Sequence, residues 1–145
     1  MSSAAATVSA DCTHVLVHDA ARPAVSCIDI EAVMNEAQQH PAVYVVAPLR
    51  TMLAQVDAGG KATAFAPAEG FMQVLTPQVF SRQRFLEIAQ SRQEPPPSAV
   101  RLLRGSALNV RLGSSADASL VRAMINLLPK PKVKGPTSPF EEAQW

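Results

Sequence analysis

The sequence predicts an α/β protein with a parallel sheet, and three observations carry that prediction. Residues 15–23 read Val-Leu-Val-His-Asp-Ala-Ala-Arg-Pro, an apolar run that breaks into a loop bearing an acid and a base. Ile28, Ile30, Val33, Met34 and Ala37 then recur at helical spacing, and residues 42–47 return as the continuous apolar run Ala-Val-Tyr-Val-Val-Ala. Strand, helix, strand is a βαβ unit, which implies parallel strands and places ligands at their carboxyl ends.

The elements follow in order. Asp29 and Glu31 sit at the front of the first helix, where the helix dipole favours acids, and His40-Pro41 ends it. The run at 42–47 is rich in β-branched residues, as a strand buried on both faces should be. Residues 52–57 and 61–66 are short extended candidates around Ala58-Gly59-Gly60, a β-hairpin or arm projecting from the sheet over about 49–70. A strand is expected over 71–76, running into Thr76-Pro77-Gln78, with Phe80, Arg84, Phe85, Ile88 and Ala89 outlining a second helix. Pro95-Pro96-Pro97 is a rigid connector, since prolines donate no backbone hydrogen bonds. Residues 99–103 read as a strand and 109–112 as a further extended segment. Ser114, Ser115 and Asp117 start a helix expected to bury Leu120, Ala123, Met124, Leu127 and Leu128 before Pro129. From Lys130 to Trp145 proline, lysine and glutamate dominate, so the expectation is one domain over 1–129 and a mobile tail over 130–145.

Composition limits the function classes. The 145 residues are 48% hydrophobic and 17% charged with formal net charge +1, so no global field draws nucleic acid or an anionic membrane. No apolar run is long enough to cross a bilayer and the start lacks the pattern of a secretory signal, which gives a cytoplasmic expectation. Cys12 and Cys27 lack Cys-x-x-Cys spacing and read as reduced thiols. Lys130, Lys132 and Lys134 read as solvated charges.

Taken alone, the loop at 18–23 has a plain reading: Asp19 caps a turn and Arg22 is solvated. A metal-hydrolase reading would join His14, His18 and Asp19, but strand alternation sets Asp19 on the face opposite the two histidines.

The run His18-Asp19-Ala20-Ala21-Arg22-Pro23 resembles the signature loop of the methylerythritol phosphate cytidylyltransferases, enzymes of non-mevalonate isoprenoid synthesis. The resemblance continues in register through Ala47-Pro48, the arm, Leu75-Thr76-Pro77-Gln78-Val79-Phe80, Gly105 and Asn109-Val110-Arg111. It implies a Rossmann-like nucleotidyltransferase fold with a projecting β-arm, and a homodimer in which the arm completes the partner's site. The reaction it implies joins CTP to 2-C-methyl-D-erythritol 4-phosphate and releases pyrophosphate with Mg2+. By the same resemblance Asp19 would hold the metal and Arg22 would orient the attacking phosphate. Thr76 and Thr51 would contact substrate, and Arg111 would stand where the family has a phosphate-binding lysine.

The sequence also departs from the family. The amino-terminal portion with the glycine-rich CTP loop is expected to be missing, which would truncate the fold, bare part of the sheet and leave the isolated chain inactive or impaired. The arm reads Arg50-Thr51 where the family has Asp-Thr, and Ala68 where it has a substrate-binding arginine. Pro95-Pro96-Pro97 replaces a Thr-Asp segment, and Gly113 replaces a threonine. Two alternatives therefore stand beside the enzyme: a non-catalytic dimerising or phosphate-binding module, and a cytidylyltransferase for another polyol phosphate such as ribitol phosphate. The Ala-Ala spacing of the loop favours the erythritol family over the latter.

Overall fold

The computed structural model describes residues 2–130, so the expected tail lies, apart from Lys130, outside the described residues. After a short helix α1 (Ser2–Ala5), the order is β1 (His14–Val17), α2 (Cys27–Glu36), β2 (Ala42–Pro48), β3 (Leu53–Val56), β4 (Ala62–Ala66), β5 (Met72–Ser81), α3 (Arg82–Ser91), β6 (Arg101–Arg104) and α4 (Ser115–Met124). The main sheet has four strands in the order β1-β5-β2-β6, and β3 and β4 form the separate arm.

The sheet is mixed, which corrects the expectation of a parallel one. β1 and β2 do run parallel, as a βαβ unit requires, but antiparallel β5 lies between them and pairs with both; β2 and β6 are the adjacent parallel pair. β5 also runs unbroken to Ser81, so Phe80 belongs to a strand and not to the second helix. A proline lacks the N–H a central strand needs. Pro77 is tolerated because β1 pairs only from Gln78 onward and the register against β2 shifts between Tyr44 and Val46. The Thr76–Pro77 peptide is cis.

β2 is the buried spine of the sheet. Val43 and Val45 pack with Leu75, Val79, Val33 and Ala37 beneath α2, while Ala42 and Tyr44 pack with Phe80, Phe85 and Ile88 beneath α3. Helix α2 starts on Ser26, whose buried hydroxyl accepts from the Ile28 N–H, an N-cap worth about 1 kcal/mol. It touches the core through Val33 and Ala37, whereas Ile28 and Met34 are exposed. At about 100° per residue Met34 is a quarter-turn from Val33 and Ile28 lies on the far side. The Tyr44 hydroxyl donates to Glu94 Oε2 at 2.6 Å, and burial together with this carboxylate pushes its pKa up. The proline run is a loop closed by one 3₁₀ turn, Pro97–Ala99.

Two further expectations change. Residues 109–112 form no strand; the segment folds back on the first loop, where the Leu112 N–H donates to the Ala21 carbonyl at 2.7 Å. Helix α4 starts as read, with a capping box between Ser114 and Asp117, but ends at Met124 in a 3₁₀ turn over Ile125–Leu127; Val121 is its buried residue, while Leu120 and, in that turn, Leu127 are exposed. On the sheet itself Val74 and Leu102 are half-exposed. At the close of β6 the Gly105 N–H donates to the Val46 carbonyl at 2.9 Å, and a Cβ there would overlap the Val45 side chain. That close approach sets the direction in which the loop toward Asn109 leaves the sheet.

Candidate active site

Four of the five residues singled out from the sequence meet at the end of β1. The strand stops at Val17, and the next residues wrap a tight turn in which Asp19 Oδ1 accepts from the Ala21 N–H at 2.9 Å and the Asp19 carbonyl accepts from the Arg22 N–H at 2.9 Å. Asp19 Oδ2 faces two guanidiniums: Arg111 Nε at 2.9 Å and Arg22 Nε at 3.8 Å. Arg22 is buried and donates through Nη1 to the Asn109 carbonyl at 2.8 Å, while Arg111 is exposed. The solvated Arg22 of the plain reading is therefore corrected, and its turn-capping Asp19 is present.

Thr76 fastens this loop to β5. Its hydroxyl oxygen accepts from the Asp19 N–H at 3.1 Å and lies 3.1 Å from His18 Nδ1. His18 Nε2 is 3.0 Å from the Arg22 carbonyl, so the tautomer protonated at Nε2 satisfies both contacts. His14 points elsewhere, to the Ala37 carbonyl at 2.9 Å, so the two histidines do not converge on a metal. Among the described residues no group of three His, Cys, Asp or Glu side chains converges.

Asn109 is the functional candidate that sequence reasoning left without a role. It is buried, its Nδ2 donates to the Thr76 carbonyl at 2.6 Å, and its Oδ1 is buried without a partner. A buried acceptor left unpaired costs about 1–3 kcal/mol, so the position favours an incoming donor. Its register beside Arg111 was visible in the sequence; its burial was not. Asn109 lines a cleft of about 260 Å³ with Arg22, Arg111, Gln73 and Ser106. Thr51 is not brought into this cluster: it is exposed and lines a separate cleft at the base of the arm, beside Arg50 and Ala68.

The electrostatics set two guanidiniums against one carboxylate. The Ala21 N–H holds the Asp19 carboxyl below its ordinary range; partial desolvation opposes this, and Arg111 and Arg22 reinforce the N–H. A depressed carboxylate contributes stability above its unfolded value and loses it as pH falls through the folded one. The pairing should therefore be intact throughout neutral pH and be lost only below about pH 4. The Arg111 side-chain Hε resonance is expected to stay constant from neutral pH down to that point and then move; movement near neutral pH would contradict the pairing.

A mixed α/β sheet with two arginines and a carboxylate gathered at its strand ends is the arrangement of a nucleotidyltransferase-like α/β fold, the fold of the solved structures it superposes on. Residues 2–126 match the family model for IspD, 2-C-methyl-D-erythritol 4-phosphate cytidylyltransferase. The chain belongs to that family. It is 33% identical over 132 residues to the 2-C-methyl-D-erythritol 4-phosphate cytidylyltransferase of Dechloromonas aromatica (strain RCB), covering 84% of this chain and 58% of the relative. It is 42% identical over 73 residues to the Frankia casuarinae protein of the same name, over 50% of this chain and 27% of that one. The crystal structure of the Thermus thermophilus cytidylyltransferase superposes with a TM-score of 0.71 at 26% identity, covering 86% of this chain and 67% of the other. The Anaerococcus prevotii synthase shares the fold at a TM-score of 0.71 and 15% identity, over 86% of this chain and 64% of that one. The chain thus spans about three-fifths of the length of the first of these curated relatives.

Proposed function

We propose that this chain carries the acceptor side of a cytidylyltransferase that joins CTP to 2-C-methyl-D-erythritol 4-phosphate with release of pyrophosphate, in cytoplasmic isoprenoid synthesis. The observation that carries the reading is the pairing of phosphate-type donors, Arg22 and Arg111, in one cleft with the polar side chains of Asn109, Gln73 and Ser106. A polyol phosphate offers the matching set, a phosphate for the guanidiniums and hydroxyls for the polar side chains of the lining.

In this reading Arg22, fixed by the Asn109 carbonyl, orients the attacking phosphate, and Arg111 turns from Asp19 to hold it. Thr76 contacts substrate while keeping the Asp19 loop in place. Arginine presents a planar fork in place of an ammonium, so Arg111 favours two-point contact with the phosphate. Transfer between phosphates demands positioning and charge neutralisation more than covalent chemistry.

The donor set is compatible with Mg2+. Asp19 is a partly exposed carboxylate that reaches the cleft through its pairs with Arg111 and Arg22, and magnesium takes one or two carboxylates and completes its shell with phosphate oxygens and water. Bound there, Mg2+ would neutralise phosphate charge. Thr51 is the arm's contribution and would serve a second copy of the chain. The arm exposes Phe65, Met52 and Val56 and packs on no other element strongly, which supports a homodimer formed through it.

No glycine-rich basic loop occurs in these residues, so the chain by itself is proposed to bind the acceptor without completing transfer. The test is a chimera carrying the nucleotide-binding portion of the Dechloromonas aromatica relative ahead of residue 2. It is expected to release pyrophosphate from CTP, Mg2+ and methylerythritol phosphate, where the chain alone does not. A folded, dimeric chimera that binds CTP but releases none would overturn the reading in favour of a non-catalytic module. Release with ribitol phosphate alone would reassign the acceptor.

A further inference from the structure

A second cleft, of about 320 Å³, shares Ala47, Gln73 and Ala107 with the first and is lined by Arg50, Arg104 and Gly105. Arg104 ends β6, and Arg50 lies two residues beyond the end of β2. Because β2 and β6 are adjacent and parallel, with Val46 opposite Arg104, both arginines leave the same carboxyl edge of the sheet. Among the described residues neither has a carboxylate within ion-pairing distance; the ion pairs engage Arg22, Arg84, Arg101, Arg111 and His40. Asp29, close to Gly105, accepts at Oδ2 from the Ser106 N–H at 2.9 Å.

The two clefts therefore differ in charge state. Arg22 and Arg111 are partly neutralised by Asp19, whereas Arg50 and Arg104 bring two uncompensated guanidiniums to one concave surface. Like charges held together without a counter-ion repel, and a phosphoryl dianion removes that repulsion while matching the planar donor forks. We propose that Arg50 and Arg104 form a second phosphate subsite, which takes one phosphoryl group of a ligand whose neighbouring groups reach the Asp19 cluster. Titration with each phosphate source distinguishes the phosphate of the polyol from those of the nucleotide.

The experiment is calorimetric titration of the full chain with erythritol 4-phosphate, CTP and inorganic pyrophosphate in turn, at low ionic strength. Arg50→Gln, Arg104→Gln, the double variant and Arg111→Gln are compared, with circular dichroism confirming that each folds. Each single replacement should weaken one of the probes about tenfold or more, and the double variant further. Loss confined to erythritol 4-phosphate assigns the subsite to the acceptor; loss with CTP or pyrophosphate assigns it to the nucleotide. Unchanged affinity for every probe in the double variant, or no binding of any probe to the unsubstituted chain, overturns the proposal. Binding is read without turnover, so a silent chimera in the previous experiment leaves this result unaffected.

Discussion

Asp19→Asn in the active chimera is expected to lower pyrophosphate release by about a hundredfold or more, the scale seen when one preorganised electrostatic partner of a transition state is removed. The substitution keeps an oxygen for the Ala21 N–H, so the turn and the Thr76 contact to the Asp19 backbone survive. What it removes is the negative charge between Arg111 and Arg22. Arg111 then loses its resting position, and the site loses the carboxylate proposed to receive Mg2+. The kinetics separate these effects. Loss of the cation site lowers kcat and raises the Mg2+ concentration needed for half-maximal rate. A freed Arg111 acting on the polyol phosphate alone changes KM. A variant that keeps its rate at ordinary Mg2+ would show that Asp19 only shapes the turn, the plain reading of the loop.

The local elements were legible in the sequence because each carries its own physical signal. The β2 run announced itself by β-branched apolar residues, the arm by Gly59-Gly60 between two short extended segments, and α4 by the Ser114 and Asp117 cap. Strand adjacency was not legible. A βαβ pattern fixes direction, and β1 and β2 obey it, but nothing local says that β5 inserts between them. Helix faces were misjudged for a related reason. Hydrophobic spacing marks which residues share a stripe, yet exposure depends on what lies opposite, so Ile28, Leu120 and Leu127 stay in solvent.

At the site, Asp19, Arg22, Thr76 and Arg111 were found through motif and register, and the chain brings them together across more than ninety residues of sequence separation. Thr51 stayed apart because it lies between the end of β2 and the arm strand β3, in a cleft at the base of the arm with Pro48 and Met72. The role of Asn109 was hidden, since the sequence shows only its register at the start of an apparent extended segment, not its burial or its two links, to Thr76 and Arg22. Arg50 was visible only as a departure from a motif. Its meaning comes from Arg104 on the neighbouring strand, a relation that exists only once β2 and β6 are paired.

The largest stability effect is expected at Phe80, and it tests the strand assignment directly. Phe80 is 1% exposed, pairs with Val15 of β1 on one side and Ala42 of β2 on the other, and packs edge-on to Tyr44 at 5.6 Å and tilted against Phe85 at 6.4 Å. A large ring fits between two strands here because Ala42 is small. Phe80→Ala should cost about 3–5 kcal/mol, combining lost transfer energy with the cavity left between α3 and the sheet. For a domain whose whole stability is about 5–15 kcal/mol this is a large share, and the urea midpoint should fall with little change in slope. Leu127→Ala, at a residue 70% exposed, is the control and should change stability by less than about 0.5 kcal/mol. If Phe80 instead stood at the surface, outside both strand pairings, the two variants would be alike. Equal midpoints would therefore remove the second core layer on which α3, the end of β5 and the direction of the Thr76 segment all depend.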